Sequence, residues 1–303
     1  RHAAQRMTKP IVKWAGGKSK LLPSLLSHVP SHIGTYAEPF AGGAALFFAL
    51  ADDPSRTFDR AILADQNEDL IACYRAVRDE VEALITALSD FGYEEDLYYR
   101  VRDLDPSGMS DIARGARLIY LNRTCFNGLW RVNSKGKFNV PFGRYTNPRI
   151  VDPDGLRAAS KALAKAELRV ADFADVTLGL GPGDFVYFDP PYVPLTKTAS
   201  FTSYAKAGFG PMDQERLAVE FARLKSKGVT ALLSNADTEV TRALYRDFNI
   251  QATTAARAIN SSGSGRGHVS ELIVASWDPP PIALEAPTTN ARAKRAARVS
   301  SRA

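Results

Sequence analysis

Apolar and polar positions change rhythm twice along the chain, and the changes mark out the expected fold. The first rhythm is strand, turn, helix. Thr35 to Glu38 reads as a short strand running into Pro39-Phe40-Ala41-Gly42-Gly43, with an apolar helix from Ala44 to Ala51 behind it. A second strand, Ala61 to Ala64, ends in Asp65 and leads to a helix from Leu70 to Val77. Upstream, a helix begins at Leu21 and must stop by Pro30. From Tyr74 to about Lys165 the alternation gives way to helical spacing, over 80–88, 94–104 and 112–121. It then resumes with Leu168 to Ala171, an apolar strand before Asp189, a helix from Asp213 to Lys225, a strand from Val229 to Leu233 that ends at Ser234-Asn235, and a last strand from Glu271 to Ala275. Strands alternating with helices predict an α/β fold with a mostly parallel sheet. The segment that breaks the rhythm predicts an inserted, mostly helical module. The expected division is therefore 7–73 with 166–278 as one domain and 74–165 as the insert.

The densest chemistry follows the central strand, in Gly183-Asp184-Phe185-Val186-Tyr187-Phe188-Asp189-Pro190-Pro191-Tyr192. Proline fixes its own φ and donates no hydrogen bond, so the strand must end in a stiff loop. Asp189 and Tyr192 are then held at the carboxyl end of a strand, where open α/β sheets place their ligands. One carboxylate, carbonyls without competing N–H groups and one aromatic face suit an exocyclic amino group on a flat ring. An acidic turn after a core strand is the plainer alternative.

Two further stretches carry candidate chemistry. Gly16-Gly17-Lys18-Ser19 invites a phosphate-loop reading, but no apolar strand precedes it and the first glycine of that pattern would fall at Val12. Adjacent glycines here let backbone approach a ligand, with Trp14 and Lys18 as face and charge. Asp65, about 20 residues past a glycine turn, stands where such folds bind a ribose, and Asp65-Gln66-Asn67-Glu68 also suits a helix N-terminus. From Asn122 to Tyr145 the bases Arg123, Arg131, Lys135, Lys137 and Arg144 are interleaved with Phe126, Trp130, Phe138, Phe142 and Tyr145, without one acid. Lys135-Gly136 between extended arms reads as a hairpin turn. Cations for phosphate, guanidinium forks for guanine and rings for stacking make a surface that reads nucleic acid.

Composition narrows the class. A chain of 303 residues with 45% hydrophobic content can bury a large core, and no apolar run approaches a membrane span. Two cysteines, Cys73 and Cys125, give neither a metal spacing nor a disulfide framework, which points to a reducing, cytoplasmic setting and to no metal. The net charge of +6 is concentrated after Pro279, where five basic residues oppose only Glu285. That Ala/Arg-rich tail, 279–303, is expected to be disordered. The residues before Met7 and the tail stay outside the fold reading, and the loop from Val193 to Pro211 reads as a functional lid.

Lys-Trp-Ala-Gly-Gly-Lys at 13–18, Glu-Pro-Phe-Ala-Gly-Gly at 38–43, Phe-Asn-Val-Pro-Phe-Gly-Arg-Tyr at 138–145, Asp-Pro-Pro-Tyr at 189–192 and Phe-Thr-Ser-Tyr at 201–204 occur in that order. Together they resemble the Dam-type DNA adenine-N6 methyltransferases over Ile11 to Trp277. The resemblance implies a Rossmann-like methyltransferase sheet with an inserted DNA-recognition module carrying a β-hairpin. It implies a monomer that acts on double-stranded DNA in the nucleoid, with S-adenosylmethionine as methyl donor. The implied cofactor positions are Trp14, Lys18, Glu38, Phe40, Gly42, Asp65, Asp172, Phe173 and Asp189. Asp189, Pro190 and Tyr192 would act on a flipped adenine within GATC. Lys13, Arg123, Phe126, Asn127, Leu129, Arg131, Pro141, Arg144 and Tyr145 would contact DNA. Phe126 stands where the family commonly carries a tyrosine. A DNA-binding protein of this fold without catalysis, and methylation of RNA or of another exocyclic amine, are the alternative readings.

Overall fold

The computed structural model describes residues 8–18, 20–133, 135–193, 209–256 and 268–278. Seven strands form one sheet in the order β3-β2-β1-β4-β5-β7-β6. They are β1 His32–Glu38, β2 Thr57–Asp65, β3 Ala166–Val170, β4 Phe185–Phe188, β5 Thr230–Ala236, β6 Asn249–Ala256 and β7 His268–Ala275. The first five run parallel, and β7 enters antiparallel between β5 and β6. Chain order reverses direction across the sheet between β1 and β4. A crevice therefore opens beyond the carboxyl ends of these two strands, the usual ligand site of an open α/β sheet.

Strand β4 is buried along its whole length because helices cover both faces of the sheet. Its side chains alternate between two cores. Phe185 and Tyr187 join Tyr36, Leu63 and Leu232 on one face, while Val186 and Phe188 join Ile62, Leu233 and Val274 on the other. On the first face lie α2 Ala45–Ala51, α3 Glu68–Asp79, α4 Val81–Ser89, α6 Asp111–Thr124 and α7 Pro153–Leu163, and α1 Leu22–Leu26 packs on α2. On the second lie α8 Phe173–Thr177 and α9 Pro211–Ser226, with Tyr245 just past α10 Glu239–Leu244. Helix α5 Glu95–Asp103 packs on α6. There Tyr98, Val101, Tyr120, Leu121, Cys125, Phe138 and Val140 form a third, smaller cluster beneath the hairpin. Residues 74–165 thus draw on the core of the sheet as well as on this cluster of their own.

The hairpin turns at Lys135-Gly136 as the sequence indicates, with Gly136 at φ +73°. Its arms meet at isolated antiparallel bridges, Val132 to Phe138 and Cys125 to Phe142, and not in a continuous ladder among the described residues. The turn is also tied by Asn133, whose Oδ1 accepts from the backbone N–H groups of Lys135 and Lys137. Helices α7, α8 and α10 and strand β6 lie outside the sequence reading. Helix α7 is capped by Asp152, which accepts from Gly155 N–H, and begins at Pro153. Strand β6, Asn-Ile-Gln-Ala-Thr-Thr-Ala-Ala, is an edge strand whose polar composition conceals it. Most of the expected lid, the Phe201–Tyr204 string and the basic tail fall outside the described residues. No described helix is long and apolar enough to cross a membrane.

Candidate active site

Asp189 follows the last residue of β4 at the mouth of the crevice. Its Oδ1 accepts from the Lys18 ammonium at 2.8 Å and from Ser234 Oγ at 2.8 Å. Since Ser234 gives its proton to the carboxylate, Tyr187, 2.8 Å away, is the donor to Ser234. Burial pushes the Asp189 carboxyl above the usual carboxylate range, and the Lys18 charge pulls it back down. The ammonium also stands over the Tyr192 ring, 4.5 Å from its centroid, a cation–π arrangement. The Tyr192 hydroxyl donates to Glu271 Oε2 of β7 at 3.1 Å, and burial raises the phenol far beyond its ordinary range. Pro190 is buried between Asp189 and the exposed Pro191. Neither proline has an N–H to compete for acceptors.

Glu38 ends β1 beside this group and is only 2% exposed. Burial pushes its carboxyl well above the carboxylate range, against the Tyr36 hydroxyl that donates to it at 3.1 Å. The Asp189 charge adds to the rise.

The turn after β1 requires glycine. Gly42 has φ +45°, and a Cβ there would meet Trp14 Cδ1 at 2.7 Å. Its N–H donates to Asp65 Oδ2 at 3.0 Å, and its carbonyl accepts from Tyr74 at 2.6 Å. Asp65, at the end of β2, also accepts from Asn67 N–H at 2.9 Å. Burial raises its carboxyl and these backbone bonds restrain the rise. Asn67 caps α3, accepting from Leu70 N–H, so Asp65 is left to the turn. Phe40 stacks on Phe173 at 5.6 Å and meets Phe209 edge-on at 5.4 Å. Asp172 caps α8 at the same place and is bridged by Arg216 at 2.8 Å. The nine residues of the implied cofactor set therefore gather around the ends of β1, β2 and β4 and the start of α8.

The candidate DNA contacts form a second group. Lys13, Asn127, Arg131, Pro141 and Arg144 are exposed, and Phe126 is 49% exposed on a short 3₁₀ turn, Phe126–Gly128. Leu129 is half-buried. Arg131 Nε donates to Asn139 Oδ1 at 2.9 Å, which fixes the guanidinium on the opposite arm. Two members hold the framework. Arg123 is half-buried and donates to the Ile11 carbonyl at 2.7 Å, and burial lowers its guanidinium pKa. The Tyr145 hydroxyl donates to the Cys125 carbonyl at 2.9 Å.

Other residues join the two groups. The buried carboxamide of Asn122 pairs with both the N–H and the carbonyl of Lys13, each at 2.8 Å. Trp14 stacks on Trp130 of the hairpin at 6.1 Å and 18°. Ser234, Asn235 and Glu271 were visible only as strand ends, and Gln214 reads as one more polar position of an amphipathic helix.

Comparison with known proteins gives the family. Residues 14–259 match the family described as D12 class N6 adenine-specific DNA methyltransferase. The chain is 42% identical over 277 residues to the Type II methyltransferase M1.LlaDCHI of Lactococcus lactis subsp. cremoris, covering 89% of this chain and 95% of that one. It is 40% identical over 288 residues to the Type II methyltransferase M.MjaIII of Methanocaldococcus jannaschii, covering 89% and 99%. It is 34% identical over 272 residues to the DNA adenine methylase of Escherichia coli K12, covering 88% and 95%. With the seven-stranded sheet and the Asp-Pro-Pro-Tyr loop at its switch point, the chain belongs to the D12 class of N6 adenine-specific DNA methyltransferases.

Proposed function

We propose that the protein transfers a methyl group from S-adenosylmethionine to N6 of an adenine flipped out of duplex DNA, within GATC. The observation that carries the chemistry is the Asp189–Tyr192 loop fixed at the crevice between β1 and β4. The residues present fit the cofactor. Gly42 lets the Trp14 ring pack directly on the turn, where any Cβ would collide with it, Lys18 offers a cation to a carboxylate, and Asp65 offers acceptors to a ribose. Phe40, half-buried and backed by Phe173, offers an apolar face to an adenine ring. When bound, the cofactor supplies an electrophilic methyl on a sulfonium.

The chain's own residues then act on the target base. An adenine inside a duplex is out of reach, so it must be extruded at a cost of a few kcal/mol. Tyr192 stacks on the extruded ring. The Asp189 carboxylate and the Pro190 carbonyl accept the two N6–H bonds, which draws the amino lone pair out of conjugation. No covalent enzyme intermediate is required, and catalysis rests on positioning and preorganised charge. Burial biases Glu38 toward its protonated form, and Asp189, paired with Lys18, is the carboxylate placed to meet the amine. Residues 74–165 read the duplex through the exposed face of Arg131, Leu129, Pro141 and Phe126, with Lys13 and Arg144 beside them. Expression in a host without adenine methylation, followed by base-resolution mapping of N6-methyladenine, tests the whole reading. Methylation confined to GATC supports it, and another consensus overturns the assignment of specificity.

A further inference from the structure

The two peptide groups that flank Tyr192 are held by a pair of buried carboxamides on different elements. Gln214, on α9 and 1% exposed, donates from Nε2 to the Pro191 carbonyl at 2.8 Å. Its Oε1 accepts from Asn235 Nδ2 at 3.1 Å. Asn235, near the end of β5 and fully buried, uses Oδ1 to accept from Val193 N–H at 3.1 Å. One continuous chain of hydrogen bonds thus runs from the carbonyl before Tyr192 to the N–H after it. Each amide has its polarity fixed by the other, because a flip of either would set donor against donor or acceptor against acceptor.

We infer that Gln214 and Asn235 are positioning residues that present the Tyr192 ring and the Pro190 carbonyl to the target base. The inference rests on the proposed reading of Asp189–Tyr192. A stiff Pro-Pro turn sets the local shape, but it does not set how the loop sits on the sheet. Prolines contribute no backbone donors at 190 and 191, so the loop lacks the N–H groups that would ordinarily anchor it. The amide pair supplies the missing anchors from side chains, one on each side of the stacking residue. The Tyr192 hydroxyl on Glu271 is the third point of attachment.

The test places 2-aminopurine at the target position of a GATC duplex, since its fluorescence is quenched by stacking on an aromatic ring. Tyr192→Ala gives the unstacked reference and Leu224→Ala, a buried α9 change away from the loop, gives the purely structural one. Gln214→Met is expected to shift the fluorescence toward the Tyr192→Ala value. It should lower kcat about tenfold or more while KM for the duplex stays within about threefold, as misplacement of a reacting group does. Leu224→Ala should lower the melting temperature but keep wild-type fluorescence and kcat per folded enzyme. Wild-type fluorescence and kcat in Gln214→Met overturn the inference, as does a loss matched by Leu224→Ala. If Gln214→Met does not fold, Asn235→Ser is read by the same two signals. An active Asp189→Ala variant would instead overturn the underlying reading, whatever Gln214 does.

Discussion

Lys18 and Asp189 are joined at 2.8 Å across the mouth of the crevice, and the same ammonium lies 4.5 Å from the centre of the Tyr192 ring. The acceptor and the stacking face of the motif thus share one cation. Burial raises the Asp189 carboxyl and Lys18 lowers it, so the carboxylate depends on the lysine for its ionised form. Lys18→Met should move the acid limb of the kcat–pH profile to higher pH, measured at saturating cofactor. An acid limb that stays in place would show that Asp189 is not the group titrating there.

Asp189→Ala is expected to abolish detectable transfer while the protein still retains duplex DNA in a filter or gel assay. Tyr192→Ala should be severe as well, since stacking of a base on an aromatic ring is worth about 1–3 kcal/mol. Tyr192→Phe keeps the ring but leaves Glu271 without its donor, so it should cost stability more than activity.

Glu38 predicts a dependence of stability on pH. Its folded pKa lies well above the ordinary value because of burial, so the folded state holds a proton that the unfolded state releases. The stability it contributes is complete below the unfolded pKa and is lost as pH rises toward the folded one, by about 1.4 kcal/mol per unit. Glu38→Gln carries no such proton. Its melting temperature should gain on wild type as pH is raised from 5 to 8, and parallel curves would contradict the buried, neutral state.

Arginines on the hairpin should separate by role. Arg131→Ala should cost about 1–3 kcal/mol of discrimination at one guanine, read from methylation rates on single-substituted sites. Arg144→Ala should weaken all sites alike and flatten the salt dependence of binding. Arg123→Ala should chiefly lower the melting temperature, because its guanidinium holds the Ile11 carbonyl.

The sequence carried most of this architecture because its strongest signals are local. An apolar strand closed by Pro-Pro, a glycine turn before an apolar helix and a base-rich aromatic run each announce themselves over about ten residues. The loss of β6 has a physical reason: apart from Ile250 its apolar positions are alanines, which carry little strand signal. Helix α7 begins with Pro153 in a stretch where the strand rhythm had lapsed, and its cap, Asp152, is legible only in hindsight. In the site, Asp189, Tyr192, Gly42 and Asp65 were readable from their places at strand ends. Ser234, Glu271, Asn235 and Gln214 were not, because their partners lie from 21 to 79 residues away in the chain. Arg123, a DNA contact by composition and by resemblance, is half-buried and also holds the Ile11 carbonyl, a bond no local pattern announces.

The stacked pair of Trp14 and Trp130 bears on how such an enzyme can change the sequence it recognises. Asn122 clasps the backbone of Lys13 one residue away from that stack, so the recognition segment and the glycine loop are fitted to each other. A relative's segment 122–145 cannot be exchanged as a cassette unless Asn122 and Trp130 are kept in it. Chimeras that retain Asn122 and Trp130 should remain active on the donor's site, whereas those that replace both should lose activity on any site. If the hairpin reads the duplex as proposed, divergence of specificity in this scaffold is channelled to its outward-facing positions, around a joint that must be inherited whole.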